Sequence, residues 1–413
     1  MPRRRSYGLT FRATFYGICN AAAGMIAALA VGGCQVAPTD NGCQITRQVV
    51  LPDTTPLALL PDVRLDRVGA RTFVFGADGT TVRWLAIAED GTVGDEQSVA
   101  LPDGTIGSWN ALAGVDAPGD HVIIGVLLPA ANGSDAELRL ISVPAEGGPA
   151  SDPGPAIATF GDGAAALTEI AMGTSASALY AGVAWIDAAQ GPTYAFADGQ
   201  AQLVGDPGAV ENPTDLSFRC LGFGPGKAEL TLSYQRKPTG QLSGIGPTWM
   251  TADVAVDGGI STLSLDVAQL GGDMGCARTA LYNNGGSPEY AIVWQDVSGS
   301  WLSVYYGEQA GTVKSFPFSS ATDFGGADLQ PPIRGVAVFA NDFGILFARR
   351  HAVEVWRIGP LGNRRSGVLV LPSLAGDIGS VVSVSSPGLL TSSYTDFTGS
   401  DTGRRLVIDA VCY

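Results

Sequence analysis

Thr72-Phe73-Val74-Phe75 and His121-Val122-Ile123-Ile124 are the first two copies of a short apolar strand that recurs along the chain. β-branched, aromatic and aliphatic residues form each copy, and turns rich in Gly, Asp, Pro and Ser separate one copy from the next. Helical periodicity is almost absent after residue 40. The pattern therefore predicts an all-β protein.

The copies follow one another at nearly regular intervals. Seven can be aligned, and they begin at Thr72, His121, Ala178, Ala228, Glu289, Asp342 and Gly388. Repeats of roughly 50 residues, each built from a few strands, are typical of β-propellers, whose four-stranded blades cannot bury their faces alone and so pack in a ring. We predict a seven-bladed β-propeller over residues 44–413, with six or eight blades as alternatives.

Each unit also needs an inner strand ahead of the aligned one. The candidates are residues 63–68, 110–115, 167–172, 216–221, 276–282, 333–339 and 380–385. In three units an aromatic residue and, two positions later, an Asp mark the following turn, at Trp185-Ile186-Asp187, Trp294-Gln295-Asp296 and Tyr394-Thr395-Asp396. We expect the aromatic ring to pack between blades and the Asp to accept hydrogen bonds from its own turn.

The two ends of the chain complement each other. Residues 44–51, Gln-Ile-Thr-Arg-Gln-Val-Val-Leu, form a strand-like segment that stands alone before the first unit, whereas the last unit stops at its third strand, 404–412. Pairing of these two segments would close the ring and leave no unpaired edge inside the last blade. Cys43 precedes the first segment and Cys412 ends the second, so we expect a Cys43–Cys412 disulfide to lock the ring.

The first residues have the features of an export signal. Arg3, Arg4, Arg5 and Arg12 form a basic head without an acidic residue, an Ala-rich apolar run covers 21–30, and Val31-Gly32-Gly33-Cys34 closes it. This motif resembles the lipobox of bacterial lipoproteins, in which the cysteine receives a thioether-linked diacylglycerol and the residues before it are removed. The resemblance implies a lipoprotein signal peptide over 1–33, a lipid anchor at Cys34 and a short tether over 34–43.

Two alternatives to the lipobox are an ordinary secretory signal and an uncleaved membrane anchor. The apolar run is shorter than the ~20 residues that span a bilayer, which favours the lipoprotein. Gln35, not Asp, follows Cys34, and by the sorting rule known for enterobacterial lipoproteins this implies the outer membrane. Whether the protein faces the periplasm or the cell surface stays open.

The whole pattern resembles bacterial exported lipoproteins with degenerate β-propeller repeats, whose strands end in Trp-x-Asp. The likeness covers residues 44–413 and is architectural, so it does not imply a function. Export exposes cysteines to an oxidising compartment, which permits disulfides. Cys220 and Cys276 fall in neighbouring proposed inner strands, and we predict that they pair, although four cysteines allow three pairings and two buried free thiols are the alternative.

The charge of the chain argues against some partners. Its formal net charge is −15, and removal of residues 1–33 takes away four arginines and no acidic residue, which lowers the net charge to −19. A surface of this sign repels nucleic acid and anionic headgroups. We therefore expect no nucleic-acid partner.

Motifs for metal or nucleophilic chemistry are missing from the sequence. The only histidines, His121 and His351, lie in different units, and neither a His-Glu-x-x-His nor a Cys-x-x-Cys motif occurs, so zinc has no recognisable ligand set. No Gly-x-Ser-x-Gly elbow occurs either. Asp-rich turns such as 88–91, 198–199 and 257–258 do not repeat Asp as calcium loops do and are interpreted as hairpin turns. We expect no metal and no cofactor.

Carboxylates are the remaining source of chemistry. Glu169 lies in a proposed inner strand, and Asp116 and Asp273 flank others. Glycosidases and lyases on propellers use pairs of Asp or Glu whose separation is set in three dimensions. Turn capping is the ordinary use of such acids, so the sequence assigns no catalytic residue.

The sequence supports three hypotheses for function. The first is a monomeric, non-catalytic β-propeller lipoprotein of the cell envelope that presents its channel mouth or loop face to a protein or glycan. The second is a carbohydrate-active hydrolase or lyase with Asp or Glu at the channel mouth. The third is a structural envelope lipoprotein without a specific ligand, whose deletion would weaken the envelope.

Overall fold

The described part of the protein consists almost entirely of β-strands and the turns between them. The computed structural model describes residues 42–413 except for 61–62, 79, 106–109, 116–120, 134, 162–168, 176, 188, 226–228, 240–247, 266–277, 285–286, 296–300, 306–312, 318–332, 340–341, 349–351, 359–364, 366, 373–376, 387 and 398–402. The described part contains one 3₁₀ turn, Pro56–Ala58, and no helix long and apolar enough to span a membrane.

The strands are numbered in chain order: β1 (Cys43–Val50), β2 (Val63–Val68), β3 (Arg71–Asp78), β4 (Thr81–Ile87), β5 (Gln97–Ala100), β6 (Asn110–Val115), β7 (His121–Pro129), β8 (Ala136–Pro144), β9 (Ala158–Phe160), β10 (Ile170–Thr174), β11 (Ala181–Asp187), β12 (Gly191–Ala197), β13 (Gly208–Ala209), β14 (Leu216–Pro225), β15 (Leu230–Pro238), β16 (Thr248–Val254), β17 (Ile260–Leu265), β18 (Arg278–Asn284), β19 (Ser287–Gln295), β20 (Trp301–Tyr305), β21 (Val313–Pro317), β22 (Ile333–Phe339), β23 (Asp342–Ala348), β24 (Val353–Ile358), β25 (Leu369–Leu371), β26 (Asp377–Ser386), β27 (Leu389–Phe397) and β28 (Gly403–Cys412).

These strands form seven four-stranded antiparallel sheets. Six sheets use consecutive strands, which gives blade 1 (β2–β5), blade 2 (β6–β9), blade 3 (β10–β13), blade 4 (β14–β17), blade 5 (β18–β21) and blade 6 (β22–β25). Blade 7 combines both ends of the chain in the order β1-β28-β27-β26. The inner strands contact one another in a closed circuit, β2-β6-β10-β14-β18-β22-β26 and back to β2. The prediction of an all-β propeller is confirmed.

The predicted inner strands agree closely with the observed ones. The bounds of β2, β6 and β22 coincide with the predicted segments 63–68, 110–115 and 333–339. The other four differ by a few residues. The largest difference is in β14, which extends to Pro225, four residues past the predicted end at Leu221, because an irregular pairing within the strand lets it continue.

The ring is closed as the sequence predicts. β1 pairs with β28 in antiparallel register, with Cys43 opposite Cys412, and the two sulfurs form a disulfide with a Cα–Cα distance of 4.0 Å. Leu51, just after β1, extends the pairing because its backbone N–H donates to the carbonyl of Arg405 at 2.9 Å. The first and last strands of the propeller are therefore joined both by hydrogen bonds and by a covalent bond.

The hydrophobic core lies between adjacent blades. Trp185 of blade 3 packs with apolar side chains of blade 2, and Tyr394 of blade 7 packs with apolar side chains of blade 6. The carboxylate of Asp187 accepts hydrogen bonds from the backbone N–H groups of Ala189 and Gln190 at 2.7 and 2.9 Å. Trp185 and Tyr394 thus pack between blades, and Asp187 accepts hydrogen bonds from its own turn, as the repeat pattern predicts. Asp296 lies outside the described residues.

The Asp-rich turns are hairpin turns held by their own backbone. Asp90 accepts a hydrogen bond from the N–H of Thr92 at 2.9 Å, Asp198 accepts two from Gln200 and Gln202, and Asp257 accepts one from Gly259. The hydrogen bonds from Thr92 lower the pKa of Asp90, because they stabilise the charged carboxylate. The acceptor capacity of these carboxylates is thus partly used by the turns themselves.

Candidate functional site: the central channel

A cavity of about 380 Å³ lies where the inner strands meet. Its described lining residues all belong to inner strands, β2, β10, β14, β22 and β26 of blades 1, 3, 4, 6 and 7. It therefore occupies the channel along the axis of the ring, and we call it the central channel. Its volume is in the range of small-molecule sites, about 300–1,000 Å³.

Three of the lining residues lie at β-bulges. In β14 the pairing runs from Arg219 opposite Gln235 directly to Gly222 opposite Ser233, so that Cys220 and Leu221 together face one residue of β15. In β22 the pairing omits Arg334, and in β26 it omits Ser380 and Val381. Of these extra residues, Leu221, Arg334 and Val381 line the central channel. Bulges bend a strand and re-aim a side chain, and they are over-represented next to active sites.

Polar side chains of neighbouring strands fix two of these bulges. The hydroxyl of Ser383, in β26, donates to the carbonyl oxygen of Arg334 at 2.9 Å. Glu169, directly before β10, accepts a hydrogen bond from the N–H of Leu221 at 2.6 Å. Both contacts satisfy backbone groups that a regular ladder would have paired. The channel wall is therefore held in its irregular shape by specific contacts between blades.

The approach of β22 to β26 requires a glycine. A Cβ atom on Gly335 would lie 2.0 Å from the hydroxyl oxygen of Ser383, the group that holds the neighbouring carbonyl of Arg334. Any larger residue would displace Ser383 and with it the bulge. Gly335 thus allows the contact that presents Arg334 to the channel.

Backbone strain coincides with the bulge in β14. Cys220 has φ 61°, in the left-handed region that residues other than glycine rarely adopt. Its thiol is disulfide-bonded. Cys276, the predicted partner, lies outside the described residues, so the Cys220–Cys276 pairing stays a prediction. Such strain costs of order 1–3 kcal/mol and persists only where surrounding contacts hold it, often at functional sites.

Three charged side chains line the described channel wall. Arg64 and Asp66 are on β2, and Arg334 is on β22. The carboxylate of Asp66 accepts hydrogen bonds from the N–H of Arg67 at 2.9 Å and from the hydroxyl of Thr174 at 3.0 Å. Because Thr174 belongs to blade 3, Asp66 links two blades that are not adjacent. These contacts make Asp66 a structural acid of the channel.

Sequence reasoning identified little of this wall. Glu169 precedes β10 instead of lying within it, and its carboxylate holds the bulge in blade 4. Asp116, Asp273 and His351 lie outside the described residues. His121 begins β7, and its Nε2 lies 3.1 Å from Nε2 of Gln200 on the exposed surface, away from the channel-lining residues. Cys34 also lies outside the described residues.

The sequence reasoning missed Arg64, Asp66 and Arg334. A signal was present, because Val63-Arg64-Leu65-Asp66 and Ile333-Arg334 place charges inside short apolar strands. A charge in an inner strand has to face either another charge or the water of the channel. Within the described part of the chain, no group of three or more His, Cys, Asp or Glu side chains is arranged to hold a metal ion.

One solved structure supports the fold by its similarity to this chain. The structure of the polysaccharide lyase Uly1 aligns with a TM-score of 0.54 and 10% identity, over 89% of this chain and 99% of that one. The fungal Aleuria aurantia lectin, described as a six-bladed β-propeller that recognises fucose, aligns with a TM-score of 0.36 and 11% identity, over 74% of this chain and 93% of the lectin. No family model and no curated protein matches the sequence.

Proposed function

We propose that the chain is a lipid-anchored, seven-bladed β-propeller of the bacterial cell envelope whose central channel binds a glycan or another small ligand without catalysis. The acyl chains would be on Cys34, and the tether 34–43 would lead directly into β1. Gln35 favours the outer membrane. The protein would act as a monomer, because the ring is closed by its own two ends.

The observation that carries the binding role is the coincidence of the bulges with the channel. Leu221, Arg334 and Val381 belong to different blades, yet each lies at a bulge and each lines the same cavity. A regular inner strand would be the simpler way to complete a blade. Bulges fixed by Ser383 and Glu169 indicate a wall shaped for a ligand, since a binding site needs side chains whose positions are set in advance.

The shape of the site favours a small ligand or a chain end over a folded partner. A stable protein–protein interface buries about 800 Å² on each partner, usually on an open surface. A channel cavity of about 380 Å³ instead has the size of a small ligand or of one end of a chain. We therefore favour a glycan over the protein partner that the sequence left equally open.

The enzymatic alternative has less support. A hydrolase that uses two carboxylates needs them on both sides of the scissile bond, about 5–10 Å apart. Asp66 is the one carboxylate among the described lining residues, and its oxygens accept hydrogen bonds from Arg67 and Thr174. Asp116 and Asp273 lie outside the described residues, so a test for hydrolase or lyase activity belongs with the binding experiment.

The anchor is tested by mass analysis of the membrane-derived protein. The wild-type chain is expected to lack residues 1–33 and to carry added acyl mass, and Cys34→Ser is expected to remove that mass and release the protein from membranes. Cys19→Ser, inside the proposed signal peptide, is the matched control and should leave lipidation unchanged. An unacylated wild-type chain would contradict the anchor.

The channel is tested by blocking it. Ala171 lines the cavity, so Ala171→Trp should fill much of it, whereas Val370→Trp adds the same ring at a position that is 55% exposed on β25. An array of neutral and acidic glycans should show a class bound by the wild type and by Val370→Trp but not by Ala171→Trp. Equal binding by all three proteins would place the ligand elsewhere.

A further inference from the structure

Arg334 has the position of a ligand-binding arginine. It is the extra residue of the bulge in β22, its carbonyl is held by Ser383, and its side chain is exposed in the channel wall. Within the described part of the chain, its guanidinium has no hydrogen bond and no ion pair. The bulge, fixed between two blades, thus presents a cation to the cavity.

Among the described lining side chains of the channel, cations outnumber anions, whereas the protein as a whole is acidic. The described lining side chains include two cations, Arg64 and Arg334, and one anion, Asp66, whose oxygens already accept protein hydrogen bonds. The chain as a whole has a net charge of −15. A cation such as Arg334 inside a cavity of an acidic protein raises the local potential and attracts anions to that point.

The rest of the wall sets the size and character of the ligand. Leu65, Met172 and Phe223 contribute apolar surface to the cavity, whose volume is about 380 Å³. These apolar side chains lie beside polar and charged ones, and such a combination can orient one small molecule. A guanidinium binds a carboxylate through two parallel hydrogen bonds, a geometry that a lysine ammonium cannot reproduce.

We infer that the central channel selects a carboxylate-bearing ligand of small-molecule size, and that Arg334 binds the carboxylate. The inference rests on the proposed role of the channel as a ligand site and adds the chemical class of the ligand. The apolar side chains of Leu65, Met172 and Phe223 contact the body of the ligand. The carboxylate can come from an acidic sugar within a glycan chain or from a free carboxylic acid.

The test is calorimetric titration of the detergent-solubilised full-length protein with three probes. Galacturonate oligomers supply carboxylates on a sugar chain, galacturonic acid supplies a free acid, and neutral galactose oligomers of matched length supply neither. The wild type should bind a carboxylate probe, and Arg334→Gln should weaken that binding at least about tenfold, as expected for the loss of a charge-assisted pair. Arg334→Lys should restore only part of the affinity.

Arg404→Gln is the matched control, because Arg404 is also exposed and its ion pair among the described residues is with exposed Asp53, at 3.5 Å. It should bind the carboxylate probe with an affinity within about twofold of that of the wild type.

The probes also identify the source of the carboxylate. Tighter binding of galacturonate oligomers than of galacturonic acid would identify a glycan, and tighter binding of galacturonic acid would identify a free acid. Binding of neutral oligomers alone, or equal binding by Arg334→Gln, would overturn the inference and leave the channel as a ligand site. The inference would also be overturned if the wild type bound a glycan on the array, lost that binding in Ala171→Trp, and yet bound none of the three probes.

Discussion

The carboxylate of Asp409, in the last strand, lies 2.9 Å from the guanidinium of Arg47, in the first strand. Both side chains are buried, with 5% and 7% of their surfaces exposed. Asp409 also lies 3.0 Å from Arg67 of blade 1, and it accepts a hydrogen bond from Thr391 at 2.7 Å. One carboxylate thus joins β1, β27 and β28 of blade 7 to β2 of the next blade, at the point where the ring closes.

Asp409→Asn should destabilise the protein strongly. The substitution leaves the guanidinium groups of Arg47 and Arg67 buried without a counter-charge, which costs about 3–5 kcal/mol when a buried pair is broken. Chemical unfolding followed by tryptophan fluorescence measures this loss. Asp53→Asn, which removes the exposed partner of Arg404, is the control and should change the free energy of unfolding by less than about 1 kcal/mol. Equal effects of the two variants would show that the buried network does not stabilise the closure.

Removal of the closing disulfide should lower stability without preventing closure. The double substitution Cys43→Ala and Cys412→Ala leaves the hydrogen bonds between β1 and β28 in place but frees the ends of the unfolded chain. The expected cost is about 2–5 kcal/mol. Thermal unfolding of the variant and of the wild type under non-reducing conditions measures it.

The control for the disulfide is Gln44→Ala, which removes a single exposed hydrogen bond from Gln44 to the hydroxyl of Tyr413 and keeps the covalent link. It should have a melting temperature close to that of the wild type. A double cysteine variant as stable as Gln44→Ala would contradict a stabilising role of the bond.

Tyr234→Phe should make the free energy of unfolding fall less steeply with pH in the alkaline range. Burial, assisted by the charge of Glu211 and the hydrogen bond to it, raises the pKa of Tyr234 above its ordinary value of 10.0. Above about pH 10 the unfolded chain releases this proton and the folded protein keeps it, so the free energy of unfolding falls as pH rises. The contribution reaches at most about 1.4 kcal/mol per pH unit.

Urea unfolding of Tyr234→Phe and the wild type between pH 8 and pH 11 measures this difference. Below pH 10 the variant should lose only the hydrogen bond to Glu211, 3.1 Å long, at a cost of about 1 kcal/mol. Parallel curves for the two proteins above pH 10 would show that Tyr234 ionises in the folded state.

Gly182→Ala should destabilise the contact between blades 3 and 4. A Cβ atom there would lie 2.1 Å from a methyl group of Leu230 and 2.3 Å from the ring of Phe223, which lines the central channel. Overpacking of this kind costs about 1–3 kcal/mol. Gly161→Ala is the control, because no atom of the described residues other than its chain neighbours lies within 4 Å of the added Cβ, and it should be neutral or slightly stabilising. Thermal unfolding followed by circular dichroism measures the melting temperatures of both variants. Equal melting temperatures would contradict the tight contact at Gly182.

The repeat pattern of the sequence determined the strands and the way they close. Apolar runs such as 72–75 and 121–124 recur because every blade has to bury both faces against its neighbours. The residues of each strand already show this requirement. The complementary ends, with Cys43 and Cys412, indicated the pairing of β1 with β28 because a blade lacking an outer strand leaves an unsatisfied edge. The sequence also favoured an export signal ending at Cys34, which rests on a motif and not on the fold.

The tertiary structure alone decided what lies in the central channel. Arg64, Asp66 and Arg334 come from strands of blades 1 and 6, and their convergence depends on how seven sheets are arranged around an axis. The bulge at Arg334 depends on Ser383 and Gly335, a contact between two blades that no spacing along the chain records. The same holds for Asp409, whose buried charge is stabilised by Arg47 of the paired strand β1 and by Arg67 of the adjacent blade. Local periodicity specifies strands, whereas charge pairing and cavity shape depend on distances that exist only after the ring has closed.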